Sequence, residues 1–309
     1  MDLGVALPSA GELATPANIL RYAQEAERLG YASIWTYERV LRPIAPVAQP
    51  GGGPPQALPD FYRTVYDPLE TLSYLAAVTT RITLGTSIVD ALLHPPVVLA
   101  RRFATLDQLS GGRVVAGLGQ GWMREEFQTA NVPFRRMGAG FDEVVGAIRA
   151  TWGPDPVRYE GRFYRITPSE VNPKPVQSRL PILVGAMTPA GIERAARIAD
   201  GLNPIAFSAE MLVGAGARFR GAARAAGRDP DTLTVVARAN VSITSRPVDR
   251  DRQFLGGSPD QIADDLAKLR GNGVDHVFLA NMTATDIDEE IDLLGRIRTA
   301  TAGLDVGVD

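Results

Sequence analysis

Apolar residues recur along the chain in two alternating rhythms. Residues 2–7 form a short β-prone run that stops at Pro8. Residues 16–29 then place Ile19, Leu20, Ala23, Ala26 and Leu29 on one helical side with charges opposite. Gly30 is a helix stop, and 32–37 resumes an apolar strand. The cycle continues with strands predicted over 82–89, 114–118, 182–185, 201–205, 233–239 and 274–280. Between them helices are predicted over 67–79, 96–109, 140–152, 189–199, 209–226 and 259–270, and a last one follows over 286–302. Near-continuously apolar strands separated by amphipathic helices predict a parallel sheet covered by helices on its outer face. Eight such cycles in 309 residues predict an α/β fold of the (β/α)8 TIM-barrel class in one domain, 1–309, rather than an open doubly wound sheet.

Two stretches break the rhythm. The first, 41–66, carries Gln49-Pro50-Gly51-Gly52-Gly53-Pro54-Pro55 and follows the second strand. In a barrel that loop lies on the catalytic face, either as a lid or as an insertion without a role. The second, 153–179, contains two short alternating runs joined by Glu160-Gly161, read as a hairpin inserted before the fifth strand.

Composition narrows the chemistry mainly by what is absent. With no cysteine, disulfides, thiolate zinc sites, iron–sulfur clusters and thiol nucleophiles are excluded. Two histidines, His94 and His276, leave no basis for a His-rich metal site; carboxylate-bound Mg²⁺ stays open, and no metal-binding residue is assigned. Of 32 basic residues only Lys174 and Lys268 are lysines, and neither completes a phosphate-binding GxxxxGK[ST] loop. A net charge of −3 gives no reason to expect a nucleic-acid partner. No apolar run reaches the ~18 residues of a membrane span, and no secretory signal opens the chain, so a cytoplasmic location without membrane contact is expected.

Catalytic groups of such barrels lie just beyond the C-terminal ends of the strands. Glu38 and Arg39 follow the second strand, either as an ordinary solvated pair or as groups facing a cofactor or substrate. Thr86-Ser87-Ile88-Val89-Asp90 ends the third, with His94 just before the next helix. His94 is either structural or one of two imidazoles available for proton transfer; His276, inside the last strand, reads as barrel packing. The fourth strand runs into Gly117-Leu118-Gly119-Gln120-Gly121-Trp122, and the fifth into Gly185-Ala186-Met187-Thr188-Pro189. Two small-residue turns suit a large anionic cofactor, one beside a ring edge and one at its phosphate.

At this point the sequence resembles the bacterial luciferase-like superfamily, in the branch of F420-dependent oxidoreductases. The resemblance rests on Ala26–Gly30, Ser33-Ile34-Trp35, the long run from His94 to Trp122, and Glu126-Phe127. Glu160-Gly161-Arg162-Phe163-Tyr164, Pro173-Lys174-Pro175 and Ala199-Asp200-Gly201 follow in the family's order. It implies a barrel with an insertion, a homodimer, a small-molecule substrate, and coenzyme F420 or alternatively FMN in the C-terminal mouth. Carried over by position, Ser87-Ile88 matches the family's non-prolyl cis peptide behind the ring. Gly119, Gly121 and Trp122 match the loop along the ring and ribityl chain, and Gly185, Ala186 and Met187 the phosphate turn. One departure stands out: several members have Asp-His where this chain has Glu38-Arg39, so the expected imidazole is missing there. Glu38, Arg39 and His94 are therefore the candidate catalytic residues. The resemblance implies hydride transfer between the deazaflavin C5 and an organic substrate. An FMNH2-dependent monooxygenase and a non-catalytic F420- or flavin-binding protein are the alternatives.

Overall fold

The computed structural model describes residues 1–303. Eight parallel barrel positions are filled in chain order. They are β1 (Asp2–Ala6), β2 (Ser33–Thr36), β3 (Thr83–Thr86) with its continuation β4 (Val89–Asp90), β5 (Val114–Gly119), β8 (Ile182–Val184), β9 (Gly201–Leu202), β10 (Thr234–Val241) and β11 (His276–Asn281). β1 pairs with β11 on one side and β2 on the other, and β3 pairs with β5, which closes the ring. β6 (Val157–Glu160) and β7 (Arg165–Ser169) form the predicted antiparallel hairpin outside it. The helices that cover the barrel are α1 (Pro16–Arg28), α2 (Pro68–Ala76), α3 (Pro96–Ser110), α5 (Ala139–Trp152), α6 (Pro189–Ile198), α7 (Ala209–Ala225), α8 (Pro259–Leu269) and α9 (Ile287–Thr301).

Two differences from the sequence expectation concern the catalytic end. The strand predicted over 82–89 is interrupted at the Ser87–Ile88 peptide, which is cis. A short helix, α4 (Arg124–Thr129), follows β5 outside the eight helices of the predicted cycle, its six residues being too few to show periodicity. The other strands and helices lie where predicted, with ends moved by one to three residues.

Alternation divides each strand between two cores. Outward residues such as Val5, Ile34, Leu84, Ala116 and Val184 pack against the helices in one continuous cluster. Inward residues Trp35, Leu183, Val236 and Phe278 plug the barrel, with Trp35 stacked on Phe278 at 4.7 Å between ring centres. Gly85 is required here: a Cβ on it would lie 2.3 Å from the Trp35 indole.

Several motifs behind the family resemblance turn out to be clamps. Glu27 accepts the backbone N–H groups of Thr80, Arg81 and Ile82, fixing the entry to β3. Arg113 donates to the carbonyls of Ala76, Thr79, Ile82 and Ser110, satisfying orphan acceptors at two helix ends. Buried Asp107 accepts from the backbone and side chain of Gln177. Glu143 receives the N–H groups of Arg162 and Phe163, docking the hairpin on α5.

Candidate active site

The C-terminal ends of β2, β4 and β5 bring together a compact charged cluster. Glu38 is 8% exposed; its Oε2 accepts the Asp90 N–H at 2.9 Å and its Oε1 lies 2.8 Å from His94 Nε2. The Glu38 N–H in turn donates to the Ile88 carbonyl at 3.0 Å, which ties the end of β2 to the cis bulge. Arg39 is buried beside it and donates to Glu126 Oε2 at 2.9 Å, while Glu126 Oε1 takes the Val40 N–H. The guanidinium lies over the rings of Tyr62 and Trp122, at 5.1 and 5.4 Å. Glu38 and Arg39 are therefore not a solvated pair. They are two buried groups with different partners.

An imidazole does stand at this mouth, brought there from another strand end. His94, between β4 and α3, occupies the position from which it reaches Glu38, so a Glu–His pair stands at this mouth with the two residues 56 apart in sequence. The structure brings all three candidate catalytic residues into one cluster. It also adds two carboxylates that the sequence did not single out. Asp90 lies under the Gly119–Gly121 loop and accepts the Gly121 N–H. Burial, then the charges of Glu126 and Glu38, push its carboxyl up to about 8, against the pull of Arg39 and that N–H. Burial also raises Glu126, despite Arg39.

The glycines of the two predicted cofactor turns have a more specific reason than general permissiveness. A Cβ on Gly119 would lie 2.4 Å from Ile88 Cδ1, and one on Gly185 would lie 3.1 Å from Ile88 Cγ2. Both glycines therefore make room for Ile88, and through it for the cis bulge. Gly121 has φ +76, and a Cβ there would meet the Phe127 ring at 2.9 Å. Trp122 packs against the 41–66 insertion, beside Val47, Leu58 and Met123. That insertion is anchored by a Val47–Gln56 bridge, an Ala10–Val65 bridge and Arg42 bonded to Leu58, Pro59 and Asp60.

At the fifth turn, the backbone N–H groups of Ala186, Met187 and Thr188 find no acceptor among the described residues. They run up to the N-terminus of α6, where Thr188 caps the helix by accepting from Gly191. Unpaired N–H groups leading into a ten-residue helix suit a phosphate by hydrogen bonding and by the helix dipole. The residues of this turn thus fit the phosphate of a flavin-type cofactor.

A cavity of about 470 Å³ opens beside the cluster, over β1, β2, β10 and β11. Tyr37, Arg238, Asn281 and Glu290 give it polar walls. Asn281 donates to Glu290, whose carboxyl burial raises to about 7. His276, at the opposite end of the barrel, bonds Ser33 at 2.7 Å and takes no part in this mouth.

Comparison with known proteins gives this geometry its context. The profile of the luciferase-like monooxygenases matches residues 1–256. An uncharacterized protein of Mycobacterium tuberculosis is 37% identical over 206 residues, 65% of this chain and 71% of its own. The F420-dependent glucose-6-phosphate dehydrogenase of Amycolatopsis mediterranei is 29% identical over 203 residues, 64% of this chain and 56% of its own. Among solved structures, the monooxygenase RslO1 from Streptomyces bottropensis matches with a TM-score of 0.82 at 25% identity, covering 98% of this chain and 99% of that one. With the profile spanning most of a barrel of this connectivity, the chain belongs to the luciferase-like monooxygenase family.

Proposed function

We propose that the protein is an F420-dependent oxidoreductase acting on a small organic substrate. The observation that carries this reading is the row of unpaired N–H groups at Ala186, Met187 and Thr188, set in the same mouth as the Glu38–His94 pair. The F420-dependent relative from Amycolatopsis supports the choice of cofactor. When bound, F420 supplies hydride exchange at its deazaflavin C5. The chain's own residues do the rest. Ala186, Met187 and Thr188 would hold its phosphate, and Ser87 and Ile88 would stand beside its ring. Glu38 and His94 hold and move the proton that hydride transfer to a carbonyl, enone or imine requires. Arg39, paired with Glu126 and lying over the Tyr62 and Trp122 rings, holds the mouth rigid.

RslO1 favours a second reading, an FMNH2-dependent monooxygenase on the same scaffold. Parallel fluorescence titration with F420 and FMN separates the two. Micromolar F420 binding with weak FMN binding is the expected result. The reverse preference, with oxygen consumed on adding reduced FMN, would replace the proposal with the monooxygenase. Tight binding without turnover on any substrate would leave a cofactor-binding protein.

A further inference from the structure

Arg238 sits at an inward position of β10, in a strand whose other described side chains are mostly apolar or small. Its Nη1 donates to the Ser87 carbonyl and its Nε to Asn240 Oδ1 at 2.7 Å. The guanidinium stands 5.0 Å over the Tyr37 ring. Among the described residues no carboxylate lies within ion-pair distance of it, and its Nη2 donates to no protein acceptor. The side chain lines the 470 Å³ cavity.

The acids of that cavity are otherwise engaged. Asp60 is bridged by Arg42 and Arg63, Glu12 is exposed to water, and Glu290 bonds Asn281. Burial holds the Arg238 guanidinium below its ordinary range, because a cation without a counter-charge is costly in a low-dielectric wall. An unused N–H donor on such a cation, facing a cavity, is a binding group for an anion.

We propose that the cavity takes an organic substrate carrying a carboxylate, with Arg238 as its counter-charge and Tyr37 as the apolar face beside it. This deepens the oxidoreductase reading and rests on it for the word substrate. The recognition itself depends only on the cavity. Guanidinium stacked on an aromatic ring is held in one orientation, so a two-oxygen acceptor is favoured over a point anion.

The test uses matched acid and amide probes: benzoate, cinnamate and cyclohexanecarboxylate against their primary amides, by titration calorimetry on the full chain. Acids are expected to bind at least about tenfold more tightly than amides in the wild type. Arg238→Met is expected to bring that ratio close to one. If this variant does not fold, Arg238→Gln keeps donors toward the Ser87 carbonyl while removing the charge. Its expected result is the same. Equal binding of acids and amides by the wild type, no binding of any acid, or a ratio unchanged by the substitution would overturn the assignment. Fluorescence titration with F420 on the same preparations keeps the two ideas apart. Arg238-dependent acid binding without F420 binding overturns the cofactor reading alone. F420 binding without acid preference overturns the anionic pocket alone, and F420 affinity lost with Arg238 would move that residue from substrate to cofactor.

Discussion

Asp90 makes a quantitative test of the cluster's electrostatics. Its carboxyl is 4% exposed and stands at about 8 against an ordinary 3.8. Between these values the folded chain holds a proton there that the unfolded chain has released. Stability must then fall as pH rises, by about 1.4 kcal/mol per pH unit for one proton. From pH 5.5 to pH 8 the loss works out at about 3 kcal/mol, smaller than the full interval because Asp90 is half ionised at the upper end. Below the unfolded value of 3.8 the contribution is fully present and the curve is flat, and above 8 it is lost and the curve is flat again. Asp90→Asn keeps the shape and an oxygen to accept the Gly121 N–H, but binds no proton. Urea unfolding of both proteins across this range should give curves that diverge. The variant gains about 3 kcal/mol on the wild type between pH 5.5 and pH 8. Glu290, raised to about 7, tilts both curves alike and cancels in the difference between the proteins. Parallel curves would refute the reasoning, since they require Asp90 to be ionised throughout and its charge to be met by a group other than Arg39.

The buried Arg39–Glu126 pair makes a second prediction. Arg39→Met leaves Glu126, at 1% exposure, with backbone N–H partners alone, and should cost about 3–5 kcal/mol. For 309 residues, at about 2.1 cal/mol/K of unfolding entropy each, calorimetry should record a Tm lower by roughly 5–8 °C. Adding Glu126→Leu should recover most of it, because the unpaired charge is removed; a double variant no better than the single would place the cost in lost packing on Tyr62 and Trp122. For the oxidoreductase reading, Glu38→Gln should lower kcat by about 10²- to 10⁴-fold with F420 affinity unchanged. His94→Ala should lower kcat less and shift the pH profile, with activity returned by added imidazole. Equal kcat in Glu38→Gln would make the pair a brace for Asp90 and nothing more.

The barrel was legible because burial is periodic: outward strand residues and inward helix faces repeat over eight cycles, and a run such as Thr234–Val241 announces a strand by its branched and small residues. The long motif from His94 to Trp122 identified the family, but much of what it encodes is mechanical. Asp107 and Arg113 hold loops and helix ends on the far side of the strands from the mouth. A motif can therefore specify the scaffold closely and say little about proton transfer. The imidazole proposed for proton transfer shows the difference. Position by position the histidine after β2 is missing, yet the distance that matters, 2.8 Å from Glu38 to His94, crosses from one strand end to the next and has no signature in sequence spacing. Asp90 and Glu126 were hidden for a related reason, since an acid beyond a strand or in a helix's first turn is the ordinary pattern of a solvated residue or a favourable dipole contact. Only closure of the ring shows that three carboxylates and one guanidinium share a single buried space. Arg238 was passed over in the sequence, although it carried a signal. A charge at an inward position of an apolar strand breaks the rule that predicts the strand, and such breaks fall where the fold gives up stability for a site.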